Sequence, residues 1–303
     1  MIAALLLAAV LSGSNAQQQP DRAALLAGAA AALREGRPAD AQRLLQQAAT
    51  RFHSVAALMQ LARLQSGAGD AAAALESLQT ARTLAPNSEE VLSAFAQVAL
   101  AARRPVPAAG ALEALARMCP DAAQYHYLLG VALMTAGDPV RATDALQTAD
   151  TLEPGRPLTL AALGLALNSR KQFAEAKAAL TRSLEIDPER AETLAALAEA
   201  DASLGDLGAA ETHARAALAA SANEPTAHLV IGMVRLQQQR YEEARDELVN
   251  ASIADPRSPK ADYQLSLVYA RLGDSVMAER CLESYRRKLA ETNERVKALR
   301  SAR

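Results

Sequence analysis

Alanine returns at one place in eight successive stretches of this chain: Ala41, Ala74, Ala108, Ala142, Ala176, Ala210, Ala244 and Ala278. The spacing is 33 residues once and 34 residues six times. A fixed period in this range constrains the fold more tightly than composition does, because it marks a stack of like units in place of one central core. The chain is rich in alanine, so the period needs a second column before it carries weight. Four residues on stand Leu45, Leu78, Leu112, Leu146, Leu180, Ala214, Leu248 and Leu282. Seven of the eight are leucine, and composition alone does not hold two columns in one register.

Other columns follow. Five residues before the alanine stand Gly36, Gly69, Gly137, Gly205 and Gly273, with Asp70, Asp138, Asp206 and Asp274 next in four copies. Twelve before it stands a small residue: Ala29, Ala62, Ala96, Gly130, Gly164, Ala198, Gly232 or Ser266. Twelve beyond it come Pro86, Pro120, Pro154, Pro188 and Pro256, with His53, Ala222 and Ala290 in the other copies.

Residues 123–156 show what one unit must be. Tyr127, Leu128, Val131, Leu133 and Met134 recur three and four apart, the pattern of an amphipathic helix. Gly137 is free to take positive φ and end that helix, and Asp138-Pro139 suits the N-cap and first turn of a second one. Ala142, Leu146 and Ala149 share a face of the second helix, which Pro154 ends. Small residues at Gly130, Gly164 and Gly232, and at Ala142, Ala176 and Ala244, let the two helices of a unit approach closely. The Leu146 column is expected to fill the gap to the next unit.

A small residue, a Gly-Asp turn, Ala, Leu, Ala and Pro at these offsets resemble the tetratricopeptide repeat. The resemblance implies an all-α fold, an α-α superhelix of antiparallel helix pairs. It places the units at 22–54, 55–88, 89–122, 123–156, 157–190, 191–224, 225–258 and 259–290. The motif is specific for the fold and says little about partners. Three departures stand out. Where the family often has Trp, this chain has Leu25, Leu58, Leu92, His126, Leu160, Leu194, His228 and Asp262. Arg103-Arg104-Pro105-Val106-Pro107 replaces the Gly-Asp turn of the third unit, where an irregular turn is expected. The first unit is one residue short.

A chain of 303 residues would ordinarily suggest two globular domains, but a solenoid lengthens without a central core. Half of the residues are hydrophobic and only 3% aromatic, which suits packing by Ala and Leu. A net charge of −2 supplies no basic field for nucleic acid. At the N-terminus, ten apolar residues from Ile2 to Leu11 precede Ser12-Gly13-Ser14-Asn15-Ala16. That is the apolar core and small-residue cleavage site of a secretory signal peptide over 1–16, with 17–21 as a short linker. The run is too short for a good membrane span. No Lys or Arg precedes Arg22, so the basic flank of such a signal is missing, and no Cys follows to carry a lipid. The alternative is an N-terminal capping helix of a cytosolic solenoid.

At the other end, Ala278, Leu282, Tyr285, Leu289, Val296 and Leu299 keep an apolar stripe, opposite a face rich in Arg and Lys. The last helix is expected to run on over 275–303 as a charged cap. Binding to an acidic partner or an anionic membrane is the sharper reading of the same face. Cys119 and Cys281 lie almost five units apart, too far along a linear array to bridge, and read as buried free thiols.

No catalytic constellation stands in the chain: there is no HExxH, GxSxG, Walker loop or paired CxxC. His126 and His228 occupy one apolar column and read as packing residues. His213 lacks ligand spacing, and His53 replaces a proline. No metal site, no cofactor and no enzyme activity is expected. Glu242-Glu243 opens a second helix, where carboxylates complement the dipole.

What remains is a surface. The resemblance implies that positions 2, 5, 9 and 12 of each unit line a concave groove. Applied here, it selects Tyr127, Val131, Met134, Leu165, Glu199, Leu229, Met233, Tyr263 and Leu267 as partner-binding candidates, with Gln124, Leu158, Ala161, Asn168, Glu192, Ala195, Thr226 and Lys260 in the same columns. The clamp by which some members grip a C-terminal carboxylate is absent, since Leu26 and Ala30, Met59 and Arg63, and Ser93 and Gln97 stand at its positions. The groove is expected to receive an apolar or amphipathic protein segment, anchored by Tyr127 and Tyr263; equally, these side chains pack against neighbouring helices. The functions in view are an exported scaffold for envelope assembly, secretion or polysaccharide export, and a self-associating structural solenoid.

Overall fold

The computed structural model describes residues 21–301, as sixteen helices among the described residues. The first three units hold α1 (21–34), α2 (Pro38–Phe52), α3 (Val55–Gly67), α4 (Ala71–Leu84), α5 (Glu89–Ala101) and α6 (Pro105–Met118). The next three hold α7 (Ala123–Thr135), α8 (Pro139–Leu152), α9 (Pro157–Ser169), α10 (Phe173–Ile186), α11 (Ala191–Leu204) and α12 (Leu207–Ala220). The last two hold α13 (Pro225–Gln237), α14 (Tyr241–Ala254), α15 (Lys260–Leu272) and α16 (Ser275–Ser301). The fold is an all-helical solenoid of sequential antiparallel pairs. Two compact units divide it, one ending at Pro120 and one beginning at Asp121, so the first holds three repeats and the second five. The segment assigned to a signal peptide, and residues 17–20 of the linker, lie outside the described residues, while Asp21 opens α1.

Each pair closes on its small residues. The repeated alanine is fully buried in the first seven copies, as is the leucine wherever it occurs in them. A Cβ built on Gly130 would lie 2.4 Å from Leu146 Cγ, on Gly164 2.4 Å from Leu180 Cγ, and on Gly232 2.6 Å from Leu248 Cγ. Carbon atoms in contact stand about 3.5–4 Å apart, so glycine is what lets the leucine sit there. This refines the expectation for that column. The leucine is seated first on the partner helix of its own repeat, and its outer side then joins the next repeat, as Leu248 does with Ala261, Leu265 and Val268.

The turns obey one geometry even where the sequence does not show it. Gly69, Gly137, Gly205 and Gly273 take positive φ, and the following Asp70, Asp138, Asp206 and Asp274 cap the second helix through their side chains. Arg103 does the glycine's work in the third repeat, with φ of 54°. Its N–H donates to Leu100 O at 3.0 Å and that of Arg104 to Ala99 O at 2.8 Å, the pairing Gly69 and Asp70 make with Ser66 and Gln65. The irregular turn expected there is regular. Lys171 and Gln239, both with φ of 61°, repeat the substitution. Between repeats, the helix stops two residues before Pro86, Pro120, Pro154, Pro188 and Pro256. The link after α2, two residues shorter because α2 is one residue longer and the repeat one shorter, turns instead through His53 in the left-handed conformation.

Candidate functional site

Curvature follows from which helices touch. In the five-repeat unit the first helices pack on one another, α7 on α9, α9 on α11, α11 on α13 and α13 on α15. No comparable contact joins successive second helices among the described residues. An array pinched along its first helices and spread along its second ones is concave on the first-helix side.

That close packing decides which candidates line the concave face. Position 9 stays open: Leu165 is 39% exposed and Leu267 40%, while Val131 and Met233 are half-buried. Leu158, at position 2, is 39% exposed, and Met134, at position 12, is half-buried. Position 5 mostly closes. Ala161, Ala195 and Leu229 are buried, and Leu229 belongs to the core cluster with Leu248 and Leu265, so it packs and does not line a groove. Tyr127 is half-buried. Tyr263 is 42% exposed, and its ring rests against Tyr285 of α16 with centroids 5.3 Å apart. Asn168 turns inward and its amide donates to Ala196 O at 2.8 Å. Glu199 is engaged by Lys260 in an ion pair that skips the intervening repeat. Gly130, Gly164, Gly232, Ala142, Ala176, Ala244, Pro154, Pro188 and Pro256 hold the structural places described above.

Three polar ties that the sequence did not reveal lie within this unit. Asp201 on α11 is fully buried; Lys177 Nζ of α10 lies 2.6 Å from its Oδ1 and His213 Nδ1 of α12 lies 2.7 Å from its Oδ2. The next seam repeats the arrangement with the signs exchanged. Arg235 on α13 is buried and donates to both carboxylate oxygens of Glu211 on α12 at 2.7 and 2.9 Å, with Glu243 of α14 at 3.4 Å. The guanidinium holds the Glu211 carboxyl below its usual range. The stability that this pairing adds is therefore complete above the ordinary carboxylate pKa and is lost as pH falls through the lower folded value. In the third tie His228 shares a hydrogen bond with Glu247 at 2.7 Å and another with Ala222 O at 3.1 Å, a bridging role in place of the packing role expected. The principal pairs of these ties join residues 12 to 24 apart, so they become legible only once the period is used as a ruler.

The chemistry elsewhere is sparse. No group of three His, Cys, Asp or Glu able to hold a metal occurs among the described residues. No helix among them is long and apolar enough to cross a membrane. Both cysteines are free and half-buried, and burial is the leading cause that pushes each thiol above its ordinary pKa.

Family models of the tetratricopeptide repeat match residues 26–89, 93–157, 195–259 and 229–285, and a second model of that repeat matches 159–190. The chain belongs to the tetratricopeptide repeat family. Among solved structures, a tetratricopeptide repeat protein from Parabacteroides merdae is 15% identical, with a TM-score of 0.59 over 82% of this chain and 99% of its own. A chain of the APC/C hetero-tetramer Cut9–Hcn1 is 18% identical with a TM-score of 0.57, over 77% of this chain and 48% of that one. This chain thus spans about half the length of that structure. PilW, a type IV pilus biogenesis factor, is 19% identical with a TM-score of 0.55 over 71% of this chain and 97% of its own. At these identities the likeness concerns the fold of this tetratricopeptide repeat protein. Comparison with curated proteins found no match.

Proposed function

We propose that this tetratricopeptide repeat protein is a non-enzymatic scaffold that takes up an apolar or amphipathic segment of a protein partner on the concave face of its five-repeat unit. The observation that carries this reading is a broken row of apolar side chains left open there, Leu158 and Leu165 on α9 and Leu267 on α15, flanked by half-buried Tyr127, Val131, Met134 and Met233 and interrupted at the sixth repeat by Glu192 and Glu199. Leaving such a row in water is unfavourable, and in soluble proteins it marks contact with another molecule. A helix laid into a groove is the matching mode of recognition. A photoreactive residue at Leu165 should cross-link to one discrete protein, while the same residue at Asp246 on the exposed side of α14 should not. Equal yields from both sites would remove the groove as the binding face.

The apolar stretch followed by small residues at 1–16 supports export and a role in the bacterial envelope, in assembly, secretion or polysaccharide export. N-terminal sequencing of the protein from its native source should then begin at Gln17; an intact Met1 would favour a cytosolic adaptor. The exposed Tyr263 and Leu267 of the last repeat support self-association as a second reading. Light scattering that gives a monomer at all concentrations removes it.

A further inference from the structure

The helix that the repeat explains least is the last one. The second helices α4 and α8 have 14 residues, whereas α16 has 27. Its first half does what a second helix does: Ser284 Oγ donates to Asp262 Oδ2 at 2.7 Å, and Lys288 Nζ lies 2.7 Å from the same oxygen, tying α16 to α15. Leu289 is exposed, and beyond it the helix continues for about a dozen residues, roughly 18 Å at the helical rise. Val296 is half-buried, between exposed Glu294 and Lys297. What covers Val296 is the α7–α8 turn. A Cβ placed on Gly137 would lie 2.9 Å from Val296 Cγ2 and 3.3 Å from Cγ1, so the valine methyls rest over a bare α-carbon. The last helix of this unit therefore touches the first repeat of the same unit, past three intervening repeats.

A second tie spans non-neighbours. Lys260, the first residue of α15, pairs with Glu199 of α11 across 61 residues, passing over the seventh repeat on the concave side. A solenoid held only by contacts between adjacent repeats is a spring whose curvature accumulates from small rotations. Contacts between its first and last members fix that curvature.

We propose that α16 is an intramolecular clasp: seated through Val296 on the α7–α8 turn, it holds the five-repeat array closed and sets the width of its concave face. A segment that needs a wider face displaces it, and by reciprocity, releasing Val296 strengthens uptake of that segment. This consequence rests on the groove reading above; the clasp itself does not.

The test uses the full chain with Cys119 and Cys281 replaced by Ser and spin labels on cysteines introduced at Thr135 and Lys297. A dominant short-distance population is expected. Val296→Asp should convert it to a longer, broader distribution while helical circular dichroism stays unchanged, and Val296→Ala should give an intermediate shift if the Asp variant loses helicity. A long, broad distribution in the parent protein overturns the clasp, as does a short one that neither variant moves. A short distance that appears only on mixing singly labelled chains places the tail on a second copy and overturns it equally. No partner is present in this experiment, so its failure leaves the groove standing, and failure of the Leu165 cross-link leaves the clasp standing.

Discussion

The fifth and sixth repeats lie side by side and solve the same problems differently. In the fifth, Leu180 sits on Gly164, the slot at Leu167 is apolar, and the concave face shows Leu158 and Leu165. In the sixth, Ala214 faces Ala198, and Val230, Ile231 and Leu194 complete the cluster around them. The slot equivalent to Leu167 holds Asp201 with Lys177 and His213, and the face shows Glu192 and Glu199. The backbone is common to both. One repeat is held by apolar volume and the other partly by a buried charge with two partners. The difference teaches that the family's geometry fixes where side chains meet but leaves open what meets there. A buried ion pair is no stronger in general than a well-packed apolar contact, because both charges must leave water. It is far more particular about its neighbours.

The sharpest way to break this comparison is Leu167→Asp. The corresponding positions beside it are Thr143 and Ala179, neither a cation, so the carboxylate is buried unpaired and the cost should exceed about 4 kcal/mol in urea unfolding. Adding Thr143→Lys should recover part of that loss, and no recovery would mean that the two slots are not equivalent. Next in size is Leu180→Ala, which empties the place above Gly164 and should cost about 2–5 kcal/mol. The sixth repeat already has alanine in that column and pays no such penalty. The double change Asp201→Leu with Lys177→Thr converts the charged slot toward the apolar one and should alter stability by less than about 1.5 kcal/mol, since replacing a buried pair is often neutral; a loss like that of Leu167→Asp would show that the sixth repeat depends on its charge. The smallest effect lies in the turns. Lys171 holds a left-handed conformation that Gly205 occupies in the sixth repeat, so Lys171→Gly should stabilise by about 0.5–1 kcal/mol in thermal melts.

The helix pairs were legible because Ala142 and Leu146 must meet the same small residues every period, and sterics admits few substitutes there. Three things were not. Arg103, Lys171 and Gln239 carry no mark of positive φ, since the turn is imposed by the helices on either side. Lys177, Asp201 and His213 look like scattered polar residues until the fold brings positions 12 and 24 apart into one buried slot. On the concave face, the column containing Leu229 could be read as open or as packed, because the spacing of the first helices cannot be read from periodicity. Their direct packing buries Ala161, Ala195 and Leu229 while leaving Leu165 in water.

The exchange of signs between neighbouring seams limits how such a chain can change in length. Arrays of like repeats grow and shrink when a whole unit is duplicated or lost, which leaves the reading frame and the register intact. Loss of the sixth repeat here would bring Lys177 opposite Arg235, two cations in one buried slot. Loss of the fifth would set Thr143 opposite Asp201 and strip the carboxylate of its lysine. The middle of this array is therefore a sequence of parts in fixed order, and its length is guarded by charge.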